Sequence, residues 1–310
     1  MSKHGRWIFY LALAAIALLG MLALLRSTPY GMGLVNDSAT YIEGASNIIK
    51  GGGYVRISGG GEIKPITHFP PLFSLLLAGL GLVGVDLLQA ARWMITILFG
   101  IAIYLVGLSV FKISRSPWFA LFGAFLLAIS DVHLGVYSFA LSEPLFIALM
   151  LSAFLCLAEA FDRDHWVWPM LAGILLSLAY LTRYAGVSLF ITSLLVLLVI
   201  PHREKLKRVG ILLAGALPPV LIWHAYSLLA SGAGSVGNRQ FAWHPPSGST
   251  LFEGMKNLLT WIAPHDLLAS GAIWGRALSL LSIVLLPALL AWLIWMLVER
   301  ISAVREDEAC

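Results

Sequence analysis

Asp37 lies in "NDSATYIEGASNIIKGGGYV" (residues 36–55), the most polar stretch in the first part of an otherwise apolar chain. Tyr41, Ile42, Ala45, Ile48 and Ile49 recur at helical spacing, and Gly51, Gly52 and Gly53 supply a stop. Residues 38–50 therefore predict a short amphipathic helix on a membrane surface. At its N-terminal end, the Asp37 carboxylate has two roles open to it. It can cap exposed backbone N–H groups and meet the positive end of the helix dipole. Alternatively it can act as a general base, which requires access and a pKa not lowered too far by that dipole. Glu43 is a second carboxylate, whose alternative is the solvated face of the same helix.

Other polar residues occur where apolar runs begin or end. Lys64 and His68 precede "FPPLFSLLLAGL", where Pro70 and Pro71 force an extended entry into the next segment. Each is either a ligand-binding group or an ordinary one, an interfacial anchor for Lys64 and a polar loop residue for His68. Asp131 and His133, in "AISDVHLGVYSFALSEP", form an Asp-x-His pair without a third metal ligand, and read as polar cavity residues. Glu143 stands between Ser142 and Pro144, which together mark a helix start that it caps or orients, with a catalytic role as the alternative. Arg183, in "YLTRYAG", falls at a turn between two apolar runs, where an arginine either snorkels to headgroups or holds an anionic partner.

The elements that must position these residues are membrane helices. The 310 residues are 59% hydrophobic and 12% charged, and the apolar runs reach membrane-spanning length. The chain predicts an all-α, polytopic membrane protein of about eight spans: 7–25, 88–111, 117–136, 141–160, 167–182, 184–200, 209–229 and 275–298. The N-terminal run is longer than a signal-peptide core, so it reads as an uncleaved helix. Lys3, Arg6, Lys112, Arg115, Arg163, "HREKLKR" (202–208), Arg300 and Arg305 fall on one side, with both termini. By the positive-inside rule that side is cytoplasmic. The net charge of +4 is thus a topology signal and not a nucleic-acid footprint.

The opposite side receives a first outer loop, 26–87, carrying short interfacial helices including 72–85, and a second outer loop, 230–274. In the second loop, Trp243 and Trp261 could stack on sugar or anchor at the interface. His265 with Asp266 could form an acid–base pair or an ordinary loop, and Arg239 and His244 are further polar residues there. Cys156 and Cys310 make no disulfide framework or metal spacing. Residues 1–310 read as one membrane domain.

"DSATYIEGA", Gly52, Tyr54 and "HFPPLFSLLLA" in that order resemble the first outer loop of GT-C glycosyltransferases, in the branch holding protein O-mannosyltransferases and the lipid A aminoarabinose transferase. "SFALSEPLFIALMLSAFL" (138–155) and "LAYLTRYAGVSLFI" (178–191) resemble later helices of that family, so the likeness covers roughly residues 8–200. The resemblance implies a hexosyl- or pentosyltransferase using a polyprenyl-phosphate sugar, which it passes with inversion to an acceptor lipid, glycan or protein on the outer face. It makes Asp37 the general base, and it makes Arg183, Lys64, His68, Asp131 and His133 donor-binding candidates. Tyr41, Glu43 and Glu143 are secondary candidates. No cofactor is required on this reading. The loop has Asp37–Ser38 where some relatives have paired acids, and it has no Asp-x-Asp, which counts against a metal-bridged phosphate.

Two other classes compete: a lipid or sugar-lipid transporter, and a non-catalytic assembly subunit on the same scaffold. Against the transporter, the ionisable residues gather at one membrane face and no paired interrupted helices are evident. A multi-pass protein of a bacterial or archaeal cell membrane is the expectation.

Overall fold

A computed structural model describes residues 3–57, 60–200 and 204–231, with 247, 248 and 250. These fall almost entirely in one compact unit, Met1–Leu198 with Glu204–Arg239. The expected eighth span (275–298) and Arg239, Trp243, His244, Trp261, His265 and Asp266 lie outside the described residues.

Helix α1 (Lys3–Ser27) leads into the first long loop, which holds α2 (Asn36–Ile49), strands β1 (Val55–Ile57) and β2 (Ile63–Pro65), and α3 (Leu72–Leu82). Then follow α4 (Leu87–Ser114), α5 (Pro117–Ile129), α6 (Asp131–Tyr137), α7 (Glu143–Asp162), α8 (Val167–Thr182), α9 (Gly186–Val199) and α10 (Lys205–Ser231). Four helices (α1, α4, α7 and α10) are long and apolar enough to cross a membrane, or five if the bent pair α5–α6 is one span. The count of about eight is therefore not reached among the described residues. Although α8 and α9 are apolar and stand where spans were expected, their 16 and 14 residues rise only about 24 and 21 Å against a hydrocarbon core of about 30 Å.

The expected span 117–136 is not continuous. It bends by 59° at Ser130, whose hydroxyl accepts the His133 N–H and starts α6. The all-α expectation also needs amending, because β1 and β2 pair antiparallel with Arg56 opposite Lys64. The glycines of this stretch thus sit around a hairpin, with β-branched Val55, Ile57 and Ile63 forming its strands.

Glycine contacts set the helix packing. A side chain at Gly173 would strike the Leu212 carbonyl, and one at Gly215 the Met170 carbonyl, so α8 and α10 approach backbone to backbone. At one end of the bundle Lys112 pairs with Glu159 at 2.6 Å and Asp162 at 2.7 Å, and Arg208 with Asp164 at 3.1 Å. The opposite end carries the first long loop, the start of α7 and the end of α8. Among the described residues, the ion-paired Lys112 and Arg208 and the first long loop thus lie at different ends of the helices.

Candidate active site

A parallel bridge between Gly33 and Phe139 builds the site. Gly33 donates its N–H to the Ser138 carbonyl at 2.8 Å, and its carbonyl accepts from Ala140 at 2.9 Å. A Cβ at position 33 would lie 2.6 Å from the Phe139 ring, so any other residue requires that ring to move. Four residues beyond the bridge on each segment stand Asp37 and Glu143, both in the first turns of their helices.

Asp37 does not cap α2. The start of α2 is held instead by Ser38 Oγ, which accepts the Val35 N–H at 3.2 Å. The half-buried Asp37 carboxylate has no hydrogen-bond or ion-pair partner among the described residues, and it lines a cavity of about 210 Å³. Tyr41, one turn on, lines the same cavity with His68, Thr182, Arg183 and Tyr184. Tyr41 is itself fully buried, against Phe69 and Phe73 with ring centroids at 5.1 Å, and burial raises its phenol above the ordinary tyrosine value. The Ser142 hydrogen bond and the Arg183 charge oppose that rise.

Arg183 ends α8, where its backbone turns extended. Its Nη1 pairs with Glu143 Oε1 at 2.6 Å and donates to Ser142 Oγ at 3.3 Å. The two hydrogens of Nη1 are thus engaged, while Nη2 and Nε have no partner among the described residues and the side chain is a third exposed. Guanidinium carries five N–H donors in a planar fork. Three remain for a planar or tetrahedral anion in the cavity.

The sequence candidates divide accordingly. Asp37, Tyr41, His68 and Arg183 meet at one cavity, and Glu143 stands behind Arg183 holding it. Glu143 is therefore neither a cap nor merely an orienter of its own helix. Lys64 lies on the exposed hairpin paired with Glu62 at 2.8 Å, outside the cavity lining. Glu43 Oε1 accepts the Ile57 N–H at 2.7 Å, tying α2 to that hairpin, so its face is not simply solvated. Asp131 accepts the N–H of its neighbour Val132, and His133 Nδ1 is 3.0 Å from Ser130 Oγ; neither lines the cavity. The bend at Ser130 turned this segment into a local helix start.

Sequence reading missed Ser142 as a site residue, and Tyr184 and Trp223 entirely. Tyr184 donates to the Thr67 carbonyl at 2.8 Å and accepts from Trp223 Nε1 at 3.1 Å, binding the first loop beside His68 to α10. Tyr184 directly follows Arg183 in "TRYAG", which was the available signal. A guanidinium fork and a carboxylate with no partner among the described residues, around one cavity, can hold a phosphate and take a proton from a hydroxyl beside it.

Residues 68–225, just over half of the chain, match the family described as dolichyl-phosphate-mannose-protein mannosyltransferase. No curated protein and no solved structure matches it. The matched segment includes His68, Glu143 and Arg183, and the fold brings Asp37 and Tyr41, which lie before it, to the same cavity. With its long apolar helices, the chain belongs to the dolichyl-phosphate-mannose-protein mannosyltransferase family, a family of membrane glycosyltransferases of GT-C type.

Proposed function

We propose that the protein transfers a sugar from a polyprenyl phosphate to an acceptor hydroxyl on the outer face of the membrane, with inversion and with Asp37 as general base. The observation that carries this reading is one cavity lined by both the Asp37 carboxylate and an edge of Arg183, neither with a partner among the described residues. The acceptor oxygen attacks the anomeric carbon opposite the phosphate, the carbon–oxygen bond to phosphate breaks, and the phosphate keeps the electron pair. Asp37 takes the acceptor proton, and Arg183 meets the charge growing on the leaving group. Single displacement from the opposite side inverts the anomeric centre.

The guanidinium supplies the positive charge that a metal would otherwise bring, so no cofactor enters the scheme. The acceptor is a lipid, glycan or protein hydroxyl. The bundle end bearing Lys112 and Arg208 faces the cytoplasm of a bacterial or archaeal cell on this reading.

Asp37→Asn tests it. Transfer from a polyprenyl-phosphate sugar should fall about 10²–10⁴-fold while donor affinity is kept; full turnover in the variant removes Asp37 as the base.

A further inference from the structure

The Tyr41 hydroxyl lies 2.9 Å from Ser142 Oγ, and Arg183 Nη1 reaches the same oxygen at 3.3 Å. The direction of these bonds decides what Tyr41 can do. Arginine only donates, so Ser142 Oγ accepts from Arg183. Ser142 still carries a proton of its own, and its side chain is fully buried. Among the described residues, the one acceptor within its reach is the Tyr41 oxygen. Tyr41 is as buried as Ser142, but Tyr41 lines the cavity and Ser142 does not. An O–H left without a protein acceptor is costly unless the cavity's contents accept it, so the favoured order is Arg183 to Ser142 to Tyr41. If Tyr41 donated to Ser142 instead, the serine proton would be stranded in the interior.

In the favoured order the phenolic proton of Tyr41 is unspent. No hydrogen bond joins it to Asp37 one turn away on α2, and Tyr41 lines the cavity. Burial raises the phenol, so it stays a neutral donor.

We propose that Tyr41 is a donor-binding residue, presenting its O–H to an ionised phosphate oxygen, with the direction of its hydrogen bonds set by Arg183 through Ser142. The inference rests on the phosphate-linked donor proposed above. Tyr41 O–H and the free Arg183 N–H groups are all donors, and an ionised phosphate is acceptor-only, so they match. Asp37, acceptor-only, is left for the hydroxyl of the second substrate. The cavity is thereby divided by hydrogen-bond polarity, one side for each reactant.

The test measures binding of farnesyl monophosphate and of farnesol to the full-length detergent-solubilised protein. Wild type should prefer the phosphate. Tyr41→Phe should lose about 10-fold in farnesyl phosphate affinity, the effect of one hydrogen bond to a charged group, with farnesol unchanged. An unchanged phosphate affinity in Tyr41→Phe overturns the inference. If that variant does not fold, 3-fluorotyrosine at position 41 decides. Its hydroxyl donates more strongly, so binding should tighten, and unchanged or weaker binding overturns the proposal. A wild type that does not distinguish farnesyl phosphate from farnesol removes the phosphate-linked donor reading itself, whereas preference in the wild type with no effect at Tyr41 removes this inference alone.

Discussion

Gly33 and Phe139 pair as parallel backbone segments, and the contact leaves no room for a Cβ at position 33. The bridge delivers Asp37 and Glu143 to one end of the bundle in step. Gly33→Val should force the Phe139 ring aside and shift both segments, costing about 1–3 kcal/mol as overpacking does. Transfer activity should fall further than that stability loss explains, because both carboxylates move. Thermal unfolding in detergent beside a transfer assay checks this; activity that merely follows the folded fraction would confine Gly33 to structure.

Glu143 and Arg183 allow charge to be separated from geometry. Glu143→Gln keeps an oxygen for Arg183 but removes a negative charge beside the phosphate position, so the donor should bind about 3- to 10-fold tighter and turn over more slowly as the product phosphate is retained. Glu143→Ala removes the oxygen as well, and should weaken donor binding. Titration of the lipid donor on both variants distinguishes them, and equal effects from both would deny Glu143 a role in placing Arg183.

Much of the site was legible from local pattern. The period of α2 and its glycine stop are short-range properties, and "TRYAG" breaks an apolar run, so Asp37 at a helix start and Arg183 at a turn both followed. What eluded the sequence were pairings across long separations. Tyr41 meets Ser142 from 101 residues away, and nothing near Gly33 announces Phe139. Lys64 misled because the hairpin strands are three residues each, too short to show alternation beside the glycines. Asp131 and His133 misled because apolar composition runs unbroken past Ser130, where the helix bends.

Arg183→Ala should raise the donor KM, with a smaller effect on the acceptor KM, if its three N–H groups without a partner among the described residues hold the donor phosphate as proposed. Arg183→Lys should recover little, because an ammonium cannot reproduce a planar fork that holds Glu143 and an anion together. A chelator should leave wild-type transfer unchanged if the guanidinium carries the positive charge. Loss of activity on chelation, restored by a divalent cation, would bring a metal into the scheme.

Alkaline stability should report the buried phenols of the first loop. Tyr41 and Tyr54 are both raised above the ordinary value, chiefly by desolvation. Their folded pKa values exceed the unfolded ones, so their contribution is fully present below about pH 10 and is lost above it, as the unfolded chain ionises while the folded one does not. The melting temperature should therefore drop more steeply above that pH in wild type than in Tyr54→Phe. Parallel curves would place the alkaline loss elsewhere.

Sidedness is open to direct labelling. Tyr30, fully exposed after α1, precedes the site, whereas Ser114 ends α4 near the Lys112 cluster at the other end of the bundle. With Cys156 and Cys310 replaced by alanine, Tyr30→Cys should react with a membrane-impermeant maleimide in intact cells, and Ser114→Cys only after permeabilisation. On the proposed topology, each Lys or Arg held cytoplasmic keeps the opposite end, with Asp37 and Arg183, outside. Labelling of Ser114→Cys in intact cells, with Tyr30→Cys protected, would put the cavity on the cytoplasmic face and require a donor whose phosphate headgroup lies there.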